Sequence, residues 1–215
     1  MKADKWRGAE LALRQWGAAK DDLDAYRRGR VGDSWKTLGR IVGALDAPDP
    51  LAMLDAGCGL GAASEILPDL TGRQIDYWGI DTNWDAIYIA QDEFPEAHFL
   101  PHDILTMTGT AVFDLVLSNG TVNHIHDWKK ALERMATLSA RWVILHRLWV
   151  YVDDTPTSGL IREAYNCSVW HMRLNEGEMT EAMQGFRLVE NVSSDGQDAP
   201  EGGRTYLFER MITKA

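Results

Sequence analysis

The sequence predicts an α/β fold: a doubly wound, mostly parallel sheet, preceded by a helical extension and closed by a C-terminal antiparallel hairpin. Three observations predict it. Apolar runs of strand length alternate with helix-length segments through the middle of the chain. A glycine-rich stretch, "MLDAGCGLGAASEI" from Met53 to Ile66, joins the first apolar run to a helical pattern. Two strand-like runs near the C-terminal end flank a polar, Gly-rich loop. Strands that alternate with helices imply right-handed crossovers and hence a parallel sheet covered on both faces.

Residues 5–28 read as a helix, with Trp6, Ala9, Leu13 and Trp16 at helical spacing, and Tyr26, Arg27 and Arg28 close it. Gly29 and Gly32 mark a break, and Ser34 is the expected N-cap of a second helix whose apolar face is Trp35, Leu38, Ile41, Val42 and Leu45. "DAPDP" ends that helix. The alternation then runs "LAMLD" strand, Ala62–Leu70 helix, "YWGID" strand, Trp84–Phe94 helix, "AHFL" and "VFDLVLS" strands, Trp128–Leu138 helix, "WVILHRL" strand. In "NEGEMTEAM", Asn175 and Glu178 stand at capping-box spacing. "FRLVENV" and "TYLFERM" form the expected hairpin.

Composition narrows the function. The 215 residues suit one well-buried core, with 45% hydrophobic and 25% charged residues. No apolar run approaches the roughly 18 residues of a membrane span, and the N-terminus lacks the continuous apolar segment of a secretory signal, so a cytoplasmic protein is expected. A net charge of −10 lacks the basic excess that phosphate neutralisation demands, which disfavours nucleic acid and favours small molecules. The two cysteines, Cys58 and Cys167, make neither a disulfide framework nor metal-type spacing, and Cys58 reads as a small residue under the glycine loop. A homo-oligomer is left open.

A strand ending in Asp55, followed by Gly57, Gly59 and Gly61 and then a helix, places backbone N–H groups and a helix N-terminus at the carboxyl edge of the sheet, where open α/β sheets bind ligands. Glycine is expected there because side chains would block a close approach. Twenty positions after Gly61 stands Asp81, suited to accept hydrogen bonds from two ribose hydroxyls. Together these features indicate a nucleoside-containing cofactor on a Rossmann-like sheet. The glycine spacing fits both a dinucleotide loop and a D-x-G-x-G-x-G loop.

The rest of the chain separates the two. "LDAGCGLGAASEIL", "WGIDTNWDAIYIAQ", "PHDIL" and "FDLVLSNGTVNHIHDWKKALERM" resemble, in order and spacing, the successive motifs of class I S-adenosylmethionine-dependent methyltransferases, over about residues 50 to 147. The resemblance implies a helical leader or lid at 1–50, a cofactor-binding core at 51–150, and an acceptor-pocket segment with the sheet-closing hairpin at 151–215. It further implies that Asp55, Gly57, Gly59 and Gly61 lie near the methionine portion of the cofactor and that Asp81 holds the ribose. Asn83 and Trp84 would lie near the adenine, Asp103 would contact its amino group with Ile104 against the ring, and Ser118 and Asn119 would border the sulfonium and the acceptor. Asp103 and Asn119 also suit plain turn capping.

Methyl transfer from an activated sulfonium needs alignment and shielding more than an elaborate catalytic set. A hydroxyl acceptor benefits from a general base, and His124 and His146 are the candidates, with His126 a lesser one. The His-x-His-Asp string lacks further ligands at metal spacing, so no metal is expected. Tyr165, Trp170 and His171 fall in the acceptor segment, and Arg147, Arg162 and Arg173 are either anion-binding or solvated. Tyr26 and Trp35 either close over the cofactor or pack on the sheet. The activity expected is methylation of a small molecule, on oxygen rather than nitrogen. The alternatives are a nicotinamide-dependent oxidoreductase, which shares the loop and the acid, and a non-catalytic cofactor-binding member of the fold.

Overall fold

The computed structural model describes residues 20–164, 167–195 and 203–211, with the backbone alone for 162–164 and 167–168. The expected leader helix is described from residue 20, as α1 (residues 20–27); its apolar residues Trp6, Ala9, Leu13 and Trp16, like Tyr165, lie outside the described residues. After it come α2 (Asp33–Gly43), β1 (Leu51–Ala56), α3 (Ala63–Thr71), β2 (Ile75–Asp81), α4 (Trp84–Glu93), β3 (His98–Pro101) and β4 (Phe113–Asn119). The chain continues with α5 (Trp128–Leu138), β5 (Ser139–Leu148), β6 (Val150–Tyr151), β7 (Ser158–Ala164), β8 (Cys167–Asn175), α6 (Glu176–Ala182), β9 (Phe186–Ser193) and β10 (Arg204–Arg210).

Seven strands form one sheet in the order β3-β2-β1-β4-β5-β10-β9. β1 to β5 pair in parallel, and β10 pairs antiparallel with both β5 and β9. The terminal hairpin is present as expected, with its last strand next to the parallel core and β9 on the edge. That placement explains why "TYLF" is apolar on successive residues: Tyr206 and Phe208 join the core beneath α5 and α6, while Leu207 joins the core beneath α2, α3 and α4. Among the described residues these two apolar cores, one on each face, make a three-layer α/β/α body.

Helix ends follow local chemistry with one exception. α1 ends with Gly29 N–H on Tyr26 O (2.7 Å) and Arg30 N–H on Ala25 O (2.9 Å), a Schellman ending that requires the positive φ of Gly29 (77°). Asn175 caps α6 by accepting from Glu178 N (3.0 Å), while the Glu178 carboxylate accepts from Thr157 N instead of closing a reciprocal box. The exception is Ser34. The N-cap of α2 is Gly32, with no side-chain cap, and Ser34 sits inside the first turn with its hydroxyl bonded to His146 Nε2 (2.8 Å). A partner 112 residues away overrides the local capping preference.

β5 changes face near its end. Trp142 and Ile144 pack toward α2 and Val143 and Leu145 toward α5, yet Leu148 and Val150 also pack toward α5. The parity inverts at a bulge, where the β5–β10 register shifts between Arg204 and Tyr206 and Arg147 adopts a left-handed φ of 56°. His146 Nδ1 bonds Thr205 Oγ1 (2.7 Å), which bonds Ser194 Oγ (2.9 Å), and Ser194 Oγ accepts from Arg147 N (3.1 Å). This buried chain of side chains pins the bulge.

Beyond it lies a feature not expected from the sequence, a small sheet in the order β6-β8-β7. Asn123 fastens it to the end of β4, donating to Trp149 O (3.0 Å) and Met172 O (2.6 Å) and accepting from Trp149 N (3.1 Å).

Removing the hydroxyl of Thr205 leaves Ser194 and His146 short of a buried partner. Thr205→Val is expected to lower unfolding free energy by about 1–3 kcal/mol, read by urea denaturation; Thr205→Ser is expected to retain most of it.

Candidate active site at the carboxyl edge of the sheet

The glycine loop leaves β1 with Gly57, Gly59 and Gly61 all at positive φ (84°, 54° and 79°). Their reasons differ, and two are internal. A Cβ on Gly57 would lie 2.3 Å from Thr121, whose hydroxyl donates to Gly57 O (3.1 Å), and one on Gly61 would lie 2.6 Å from the Phe99 ring. A Cβ on Gly59 would meet nothing within 4 Å. Only Gly59 therefore faces open space where a ligand can approach; the other two let the loop close on β3 and on the turn after β4. Cys58 packs beneath the loop, and burial with nearby Asp81 and Asp55 pushes its thiol up, so it is held as the thiol.

Asp81 ends β2 and binds the loop directly. Its carboxylate accepts from Gly59 N (3.0 Å) and Asn83 N (2.9 Å). Burial raises its pKa, and the backbone N–H donors work against that shift. Asp55 is 2% exposed, and Tyr77 donates to its Oδ2 (2.8 Å). Burial pushes Asp55 up to about 7, with the Tyr77 bond lowering it and the Asp81 charge adding to the rise. Asn83 caps α4 by accepting from Asp85 N (3.2 Å), and Trp84, the first residue of that helix, is 59% exposed. Asp103 accepts from Leu105 N (2.9 Å), the turn-capping arrangement, while Ile104 is buried in the α5-side core.

Four buried polar atoms in this region have no protein partner: Asp55 Oδ1, Asn83 Nδ2, Ser118 Oγ and Asn119 Oδ1. They lie at the carboxyl ends of β1, β2 and β4. Buried polar groups are nearly always paired, so unspent donors and acceptors gathered along one crevice mark a place prepared for a polar ligand. Asp55, the glycine loop, Asp81, Asn83, Ser118 and Asn119 thus stand together at the carboxyl edge. Asp103 and Ile104, just beyond β3, border the same edge.

The histidines separate. His146 is 1% exposed, both ring nitrogens are hydrogen-bonded, and burial together with the Arg147 charge lowers its pKa to about 3. It holds neighbouring elements in place. His124 ends the short 3-10 turn Val122–His124 after β4. Its Nδ1 donates to Trp170 O (2.9 Å), which leaves the lone pair on Nε2, and burial lowers its pKa so that the ring is neutral at pH 7. His171 stands edge-on to both His124 (ring centroids 5.1 Å apart) and Trp149 (5.5 Å), so the small sheet walls the site beside β4 and β5. His126 is exposed and stacks on Trp170. Arg173 lies over the Tyr151 ring and donates to Val150 O (2.9 Å), and no cluster of three or more metal-binding side chains occurs among the described residues. Tyr26 donates to Asp69 (2.7 Å) and Trp35 packs on the α2-side core, so both serve packing.

A doubly wound sheet in this order, with a glycine loop after β1 and an acid ending β2, defines a class I methyltransferase fold. Residues 49–148 match the model of the methyltransferase domain. An uncharacterized methyltransferase of Mycobacterium tuberculosis (strain H37Rv) is 37% identical over 101 residues, 44% of this chain and 49% of the relative, so the chain spans about half the length of the curated relatives it matches. Among solved structures, 1,6-didemethyltoxoflavin-N1-methyltransferase of Burkholderia thailandensis, with 1,6-didemethyltoxoflavin and S-adenosylhomocysteine bound, aligns with a TM-score of 0.60 at 19% identity, covering 94% of this chain and 88% of its own. Magnesium protoporphyrin IX methyltransferase of Synechocystis, with bound SAM, aligns with a TM-score of 0.57 at 15% identity over 83% and 80% of the two chains.

Gly61→Ala is expected to destabilise the fold by about 2–4 kcal/mol, through both a left-handed Cβ and the clash with Phe99, and Gly59→Ala by only about 1–2 kcal/mol; urea denaturation compares them. The Asp55 carboxyl keeps its proton to about pH 7 in the fold, against an ordinary value of 3.8 for a solvated aspartate. Between those pH values the folded state holds a proton the unfolded state has lost, so the Asp55 contribution falls as pH rises. Asp55→Asn is accordingly expected to flatten the loss of stability between pH 5 and pH 8, measured as urea midpoints for both proteins.

Proposed function

We propose that this chain transfers the methyl group of S-adenosylmethionine to a small-molecule acceptor, with oxygen favoured over nitrogen. The observation that carries the reading is the crevice of unpartnered buried polar atoms between the glycine loop and β4, with Asp81 already tied to Gly59. The donor set fits the cofactor's groups. Carboxylate oxygens of Asp81 accept from ribose hydroxyls, Asn83 and Trp84 border the base, and Asp55 with the loop carbonyls faces the methionine ammonium. Asp103 has one oxygen committed to its turn and a second available to an exocyclic amine.

When bound, the cofactor supplies a methyl group already activated for attack. The chain's part is to align the acceptor and hold its proton. Ser118 and Asn119, at the end of β4, border the acceptor. His124 is the base in this reading: its tautomer is set by the Trp170 carbonyl, so Nε2 is the proton-accepting atom. His146 acts through its neighbours instead, since both nitrogens are spent. The net charge of −10 supports a small acceptor over nucleic acid. No described helix is long and apolar enough to cross a membrane, and a cytoplasmic site of action accords with the sparse cysteines.

Calorimetric titration with S-adenosylmethionine, S-adenosylhomocysteine and NADH tests the reading: micromolar binding of the first two and none of the third is expected, and binding of NADH alone overturns it. Asp81→Ala is expected to weaken S-adenosylhomocysteine by about 1–3 kcal/mol through lost charge-assisted hydrogen bonds. With an acceptor in hand, His124→Ala is expected to lower turnover with cofactor affinity retained. Because burial lowers the His124 pKa, the acid limb of the wild-type pH–rate profile is expected below pH ~6.5.

A further inference from the structure

The short connection between the two leader helices, residues 28–32 ("RGRVG"), is fastened at both ends. At one end Arg27 pairs with Glu65, in the first turn of α3, and with Glu93 at the end of α4 (3.0 Å). At the other end Ser34 is bonded to His146, the residue of β5 in register with Asn119. The connection therefore begins beside the helix that follows the glycine loop and ends at His146, near the carboxyl end of β5. Between those anchors lie the carboxyl ends of β1 and β4, which carry Asp55, Ser118 and Asn119. Two strand spacings are roughly 10 Å, and five extended residues reach at most about 18 Å, so the connection is long enough to cross the rim of the crevice.

It carries two cations into that position. Arg28 and Arg30 are exposed, and neither side chain has a hydrogen bond or ion pair with the described residues. The charged groups along the ends of β1 to β3 are acidic, Asp55, Asp81 and Asp103, while Arg147 stands near the end of β5. A guanidinium is suited to bind a carboxylate bidentately. Resting on the cofactor reading above, we propose that Arg28 and Arg30 hold the carboxylate of the cofactor's amino-acid portion, with the connection acting as a strap that the Arg27 ion pairs and the Ser34–His146 bond keep in place. The acids at the floor of the crevice take the ammonium and ribose, and the strap supplies the countercharge for the group of opposite sign.

Two probes separate this inference from the reading on which it rests. S-Adenosylhomocysteine carries the amino-acid carboxylate and 5′-methylthioadenosine lacks it, while both carry the ribose and adenine. If neither binds the wild-type protein, the cofactor reading fails and the strap inference fails with it. With binding established, the double variant Arg28→Gln, Arg30→Gln is expected to weaken S-adenosylhomocysteine at least about tenfold and to leave 5′-methylthioadenosine within about twofold. Ser34→Ala, which loosens one anchor and keeps both arginines, is expected to weaken S-adenosylhomocysteine by a smaller factor. Unchanged affinity for S-adenosylhomocysteine in the double variant, or an equal loss for both probes, overturns the inference while leaving the cofactor reading intact.

Discussion

The site depends on one hydrogen bond, from the backbone N–H of Gly59 to the carboxylate of Asp81. It joins the turn after β1 to the end of β2, and so fixes the loop over the sheet edge before any ligand arrives. The neighbouring glycines then have definite roles. Gly57 admits Thr121 from the turn after β4, and Gly61 admits Phe99 from β3. Four strands thereby converge on one loop, and the open position among the three glycines is the one whose N–H binds the acid.

The same region holds polar capacity that the fold does not use. Asp55 Oδ1, Asn83 Nδ2, Ser118 Oγ and Asn119 Oδ1 are buried without partners, and two carboxylates lie close enough for Asp81 to raise the Asp55 pKa. Each of these features costs folding free energy in the absence of a ligand. The cost is offset by apolar cores on both faces of a seven-stranded sheet. A second polar assembly, by contrast, is fully committed: Ser34, His146, Thr205 and Ser194 satisfy one another and hold the bulge that turns β5 into the small sheet. Satisfied polar groups fix geometry here, and unsatisfied ones mark the ligand site.

Much of this is legible in the sequence because it is local. Strand–helix alternation, the spaced glycines, Asp81 twenty positions on, and the terminal hairpin all follow from patterns within a few turns of chain. What was not legible depends on distant partners. Ser34 has the chemistry of an N-cap, yet its hydroxyl serves His146. His146 looks like a base in sequence and is closed off by two hydroxyls in the fold. The small sheet follows a left-handed Arg147, which no residue preference announces. A signal for its long hairpin was present in the "SGLI" and "CSVWHMRLN" runs, where Gly159 leaves room for the Trp170 ring.

A crystal structure of the protein with S-adenosylhomocysteine tests the central claim most directly. The account predicts ribose hydroxyls within hydrogen-bond distance of the Asp81 carboxylate, the Gly59 N–H still on that carboxylate, and the sulfur directed toward Ser118 and Asn119. A ligand seated away from the glycine loop, or a ribose that makes no contact with Asp81, would contradict it.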